Sequence, residues 1–191
     1  METWIGLMMG VGLAAACGFR VFVPLLGLSL AGMSGYVSLA PSMLWLATWP
    51  ALTVLATATV LEVAAYYVPW VDNLLDTIAT PLAVAAGTLA TGTQLGELSP
   101  VMQWSLAAIT GGGVSAVVQT GTVALRSVST GLTAGMGNVL LSTGELLGAV
   151  TTTVLAILLP VVAFVLVLFL LVWLIRRGVQ QRRVAIGTAV E

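Results

Sequence analysis

Apolar residues in this chain run in long blocks rather than at alternating positions. Five stretches stand out: Ile5 to about Met33, about Met43 to Val68, about Leu74 to Ala90, Met102 to about Leu125, and about Leu146 to Ile175. The fourth tails into a segment rich in Gly, Ser and Thr. A helix needs about 20 apolar residues to cross the hydrocarbon core of a bilayer, roughly 30 Å thick. There is no period-two alternation of the kind that builds a lipid-facing barrel. In hydrocarbon every backbone N–H and C=O needs an internal partner, and a helix supplies it locally. The pattern therefore predicts an all-α fold, a polytopic transmembrane helix bundle of five to six spans.

Two stretches are too long for one straight crossing. The first would extend about 43 Å at 1.5 Å per residue, and it contains Gly18-Phe19-Arg20 followed by Pro24. Glycine loosens a helix, and proline removes a backbone hydrogen bond and clashes with the preceding turn. A kink or full break is expected at Gly18 and Pro24, with a re-entrant pair of half-helices as one outcome. The last stretch carries Pro160 near its middle, which predicts a kinked or tilted helix.

Interrupted helices raise the question of internal symmetry. At a constant offset Gly10 meets Gly113, Gly18 meets Gly121, and Ala31-Gly32-Met33 meets Ala134-Gly135-Met136. Thr57 to Leu61 resembles Thr151 to Leu155 at a smaller offset. The expected arrangement is a candidate inverted repeat with halves 5–92 and 102–175, inside a single transmembrane domain covering 1–175. Inverted repeats with broken helices are common in secondary transporters. Chance matches in a small alphabet of membrane residues are the competing explanation.

Composition narrows the function classes. Of 191 residues, 59% are hydrophobic and 7% charged, against about a quarter charged in soluble domains. So few charges cannot cover a water-facing surface, so lipid is the expected partner. There is no His and no Lys, which removes the usual general base near neutral pH and the commonest metal ligand. The single cysteine, Cys17, excludes an internal disulfide. No metal set, cofactor motif or nucleophile with its base is visible, so no cofactor and no enzymatic activity are expected. A net charge of −1 gives no case for nucleic acid. The opening Met-Glu-Thr-Trp lacks the positive start of a cleavable signal peptide.

Trp45, Trp49, Trp70, Trp104 and Trp173 fall near the expected span ends, where amphipathic rings anchor at the headgroups. Residues 176–191 form a basic tail, with Arg176, Arg177, Arg182 and Arg183 directly after the last span. The positive-inside rule places that tail in the cytoplasm. In a bacterium this means a multi-pass protein of the inner membrane.

The remaining charges lie inside or at the edges of the apolar blocks. Arg20 and Arg126 are the only basic residues before the tail; Glu62, Asp72, Asp76 and Glu145 are the interior acids. Glu62 lies within the second stretch, where an ionised side chain costs at least a few kcal/mol unless paired or hydrated. Asp72 and Asp76 are one turn apart on one helix face, after Pro69, which suits a helix start. The candidate intramembrane polar site is Arg20, Glu62, Asp72, Asp76 and Arg126. For Arg20 and Glu62, a site and a structural ion pair weigh equally. For Asp76, Glu145 and Arg126 a structural or interfacial role is favoured. Gly111, Gly112 and Gly113 are candidates for close helix packing. They do not form a phosphate loop, because the Gly-Lys-Ser/Thr ending and a preceding strand are absent.

The residues taken together resemble a bacterial membrane family catalogued as domain of unknown function 4126. The resemblance is carried by Gly18 to Leu26, by Glu62, Val68-Pro69, Asp72, Asp76 and Pro81, and by Gly111-Gly112, Arg126, Gly131, Asn138, Ser142 and Glu145. It covers most of residues 5–150. The family often carries Asp-Lys before the middle Val-Pro, and His and Lys before the Arg of the second half. Here those regions read Tyr66-Tyr67 and Gln119 to Thr122, which weakens any transfer of charge chemistry. The resemblance implies a membrane fold and no particular activity. The leading expectation is a small transporter or channel-like protein, a homo-oligomer or a partner of other membrane subunits. The alternative is a non-catalytic accessory subunit of a larger membrane complex.

Overall fold

Proline sets the start of several elements. Pro50, Pro69, Pro100 and Pro160 each sit in a first helical turn, where the missing N–H has no intrahelical partner to lose. The computed structural model describes residues 2–187; the side chains of residues 2, 69, 70, 72–74, 76 and 177–187 lie outside that description. The described residues form helices α1 (Glu2–Phe19), α2 (Phe22–Met33), α3 (Trp49–Tyr66), α4 (Pro69–Gly92), α5 (Pro100–Leu106), α6 (Gly113–Thr133), α7 (Asn138–Leu158) and α8 (Pro160–Gly187), with no strand among them. A 3₁₀ segment at Pro41–Ala47 precedes α3, and a π-helical turn at Ala107–Gly112 joins α5 to α6.

The first apolar stretch does break, between Gly18 and Pro24 and at neither of those two residues. Gly18 lies inside α1 and Pro24 inside the first turn of α2; the interruption falls on Arg20 and Val21. Gly18 serves packing instead. A Cβ there would lie 2.6 Å from the Val118 Cβ and 2.9 Å from the Ser115 carbonyl oxygen of α6. Pro24 is tolerated because the first N–H groups of a helix have no partner within it. The last stretch is likewise two helices and not one kinked helix, since α7 ends at Leu158 and Pro160 opens α8.

Among the described residues, three runs are long and apolar enough to cross a membrane: Trp49–Tyr66, Pro100–Thr133 and Asn138–Leu158. Four shorter apolar runs accompany them: Thr3–Phe19, Phe22–Met33, and the parts of α4 and α8 whose side chains are described, Thr77–Gly92 and Pro160–Arg176. Three clear spans stand where the sequence pattern led to an expectation of five to six, and the break at Arg20 and Val21 is what divides the first stretch into two short helices. The chain is a membrane protein: Val60, Leu132, Leu140 and Phe169 are among many large apolar side chains left on its outside, a surface that only hydrocarbon accommodates.

Small residues hold the centre. Gly6 lies against Gln94 and Gly10 against Thr91, so α1 and α4 run antiparallel. Gly87 lies against Ser115 and Gly111 against Thr91, so α6 is antiparallel to α4. On the other side of α1, Gly12 faces Ala156 and Phe19 faces Gly148, so α7 is also antiparallel to it. α1 is the hub, and its Leu13 to Cys17 segment is fully buried. Without a hydrophobic drive between helices in lipid, such close backbone approach and its dispersion contacts supply the packing energy. Gly111 and Gly112 pack on α4 as expected. Gly113 does not; nothing lies within 4 Å of a Cβ placed there.

Of the tryptophans expected at interfaces, Trp45, Trp49 and Trp173 are exposed and Trp104 packs partly against the core. The Trp70 side chain is outside the described residues. The α8 helix continues past Arg176 to Gly187, so the basic segment extends the last helix.

Candidate functional site

The break in the first stretch brings the charges together. Arg20 follows the end of α1, and its side chain is 2% exposed. Its Nη2 lies 3.3 Å from Oε2 of Glu145 on α7 and donates to the Ser142 carbonyl at 3.0 Å. Arg126 of α6 meets the same carboxylate: its Nε donates to Glu145 Oε1 at 2.9 Å and its Nη2 to Oε2. Arg126 Nη2 also donates to Ser142 Oγ at 3.4 Å, and Ser142 Oγ donates to the Tyr66 carbonyl at the same distance. Both guanidinium groups lie over the Tyr66 ring of α3, at 3.8 and 4.3 Å from its centroid. Among the described residues, one buried acid and one aromatic ring thus contact both buried cations, and the cluster ties together the α1–α2 junction, α3, α6 and α7.

Glu62 occupies a different position. The acid paired with Arg20 is Glu145, and Glu62 instead caps α2 from α3. Its Oε1 accepts from the Val21 N–H at 2.7 Å and its Oε2 from the Phe22 N–H at 3.1 Å. These are among the N–H groups that an interrupted helix leaves without internal partners. The positive end of the helix dipole favours a carboxylate there, so Glu62 needs no side-chain cation to be held. Among the described residues, two positive groups, Arg20 and Arg126, and two negative ones, Glu62 and Glu145, share this region.

A cavity of about 350 Å³ reaches Glu62 between α2, α3 and α4. Apart from Glu62 and Tyr66, its lining is Val, Phe, Ala, Leu and Ile. Leu61, Ile78 and Leu82 at its edge are exposed on the outside of the bundle, so the opening faces the bilayer.

Three of the five residues read from the sequence as a polar site, Arg20, Glu62 and Arg126, lie on or beside the helix break. Asp72 and Asp76 are on α4, and their side chains lie outside the described residues. The interfacial reading of Arg126 and Glu145 gives way to burial, because each is at most 9% exposed. Sequence reasoning missed Ser142 as a bridging hydroxyl and Tyr66 as the ring under both arginines. The available signal was the Tyr66-Tyr67 pair standing where a charged pair was expected. Among the described residues, no group of three His, Cys, Asp or Glu side chains converges as a metal site would require.

The site residues lie within a family pattern. A family model described as domain of unknown function, DUF4126, matches residues 7–178. The chain belongs to this family. The DUF4126 match includes every member of the buried cluster and runs from Leu7 in α1 to Gly178 in α8. Searches of curated proteins and of solved structures gave no match.

Proposed function

We propose that the protein is a small transporter or channel-like protein whose working site is the polar cluster at the break between α1 and α2. The observation that carries this reading is the cavity that ends on Glu62 at the N-terminus of a half-helix. Interrupted helices that aim backbone donors into a cavity are the usual way a membrane protein builds a site for a polar solute. A part-buried, bonded carboxylate beside two buried arginines is a costly arrangement in lipid, which argues for use. On this reading the protein is not an enzyme and carries no cofactor. It sits in the bacterial inner membrane with its basic C-terminus in the cytoplasm, works as a homo-oligomer, and its two halves form an inverted repeat.

Proteoliposomes carrying a pH-sensitive dye inside, challenged with salts of small organic anions and cations, test the reading. Flux above protein-free liposomes is expected, and Glu62→Gln should abolish it while the protein stays folded in detergent. Full flux in that variant would sink the assignment of the site.

One observation favours a second reading. The Arg20–Glu145–Arg126 cluster joins four parts of the bundle, as a structural lock would in an accessory subunit. Stoichiometric co-purification with other membrane proteins after gentle solubilisation, with no flux from the isolated chain, would favour that reading.

A further inference from the structure

Beside the N-terminus of α2, Arg20 keeps buried donors that Glu62 does not use. Val21 and Phe22 present two N–H groups, both taken by the one carboxylate. Beside them Arg20 is buried with two donors, Nε and Nη1, that have no hydrogen-bond partner. A buried guanidinium nitrogen left unpaired is costly, and it marks a place where an acceptor is due. The guanidinium lies over Tyr66, and Tyr66 lines the cavity together with Glu62, Val21 and Phe22. Glu62 comes from another helix, forty-one positions away in sequence, and is only part-buried. It is an anion on a tether, seated where a free anion of the same shape would fit.

The rest of the cavity fixes what such an anion carries. Its walls are apolar, and its mouth between α3 and α4 opens to lipid past Leu61, Ile78 and Leu82. A hydrated inorganic ion gains nothing from that route, whereas a molecule with an acidic head and a hydrocarbon tail partitions into it. Cavities of a few hundred Å³ are the size that holds small organic ligands.

We infer that Glu62 is a displaceable occupant of a binding site for an amphipathic monoanion. The anionic head replaces the Glu62 carboxylate on the Val21 and Phe22 N–H groups and recruits the free donors of Arg20. The tail lies in the apolar cavity between α3 and α4. This rests on the proposed transport role in naming the same site, and it adds the substrate class and the means of release: Glu62 returns to the helix terminus and expels the anion.

Binding of octanesulfonate to the purified full-length protein in nanodiscs tests the idea, because its charge is fixed. Glu62→Gln removes the competing charge and should tighten binding roughly tenfold or more, the scale of one charge-assisted hydrogen bond. Methanesulfonate, which lacks the tail, should bind neither form measurably, and octanol should show no difference between the two. Equal octanesulfonate affinity in both forms, or equal tightening for octanol, would overturn the inference. If Glu62→Gln does not fold, Ala58→Phe keeps the question open to test. It fills the cavity without touching the hydrogen bonds, and octanesulfonate binding that survives it would be equally fatal. Binding as described without flux in proteoliposomes would retire transport and leave the anion site standing.

Discussion

The guanidinium of Arg20 lies 3.8 Å from the centroid of the Tyr66 ring, and Arg126 lies 4.3 Å from the same centroid. A desolvated cation over an aromatic face is worth about 2 kcal/mol or more, so this ring is a principal fastener of the charged cluster. Tyr66→Phe keeps the face and is expected to be the milder change. Tyr66→Ala removes the face and leaves a cavity, for about 3–5 kcal/mol. Thermal unfolding in detergent separates them; equal losses in the two variants would show that the ring face contributes little.

Glu145 is the shared counter-charge of Arg20 and Arg126. Neutralising it takes the shared carboxylate from both buried cations, and breaking a buried pair costs about 3–5 kcal/mol. Glu145→Gln should therefore destabilise the protein by at least that range, and Glu145→Asp by less. Replacing Arg126 and Glu145 together by Met should cost less than Glu145→Gln alone, because one of the two cations that share the carboxylate is removed with it. Denaturant titration of the four proteins checks the order, and a double variant weaker than Glu145→Gln would contradict it.

The three adjacent glycines should respond differently. A Cβ on Gly111 would lie 2.8 Å from the Thr91 Cβ and closer still to the Gly87 carbonyl oxygen; a Cβ on Gly113 meets nothing. Gly111→Ala should then lower the melting temperature by several degrees, since backbone on α4 has to move. Gly113→Ala should be neutral or add up to about 1 kcal/mol, the usual helix preference for Ala over Gly. A stable Gly111→Ala would mean that α4 and α6 do not approach as closely as described.

Cys17 is fully buried at the hub of the bundle. In the folded protein it should resist a maleimide for hours and react within minutes after denaturation, as followed by mass spectrometry. Ready labelling in the native protein would place α1 outside the core.

The orientation proposed from the arginine tail has its own check. A fluorescent protein fused after residue 191 should fold and glow, and alkaline phosphatase at the same place should stay inactive. The reverse result would put the C-terminus on the opposite side of the membrane.

The chain's solvent was legible without coordinates, because 59% hydrophobic and 7% charged residues can be reconciled only with lipid. Helical class followed from the same composition, and so did an interruption near Gly18 to Pro24, since both depend on local chemistry that travels with the sequence. What the sequence could not assign was which charges meet. Arg20 pairs with Glu145, a partner far along the chain, and Glu62 binds a helix terminus instead of the arginine. That choice depends on how α1, α3, α6 and α7 cross, and on the exact place where α1 stops, at Phe19 and not at Gly18. Spacing constrains neighbours one turn apart; only packing decides which buried donor is close enough to a buried acid to offset the cost of removing both from water.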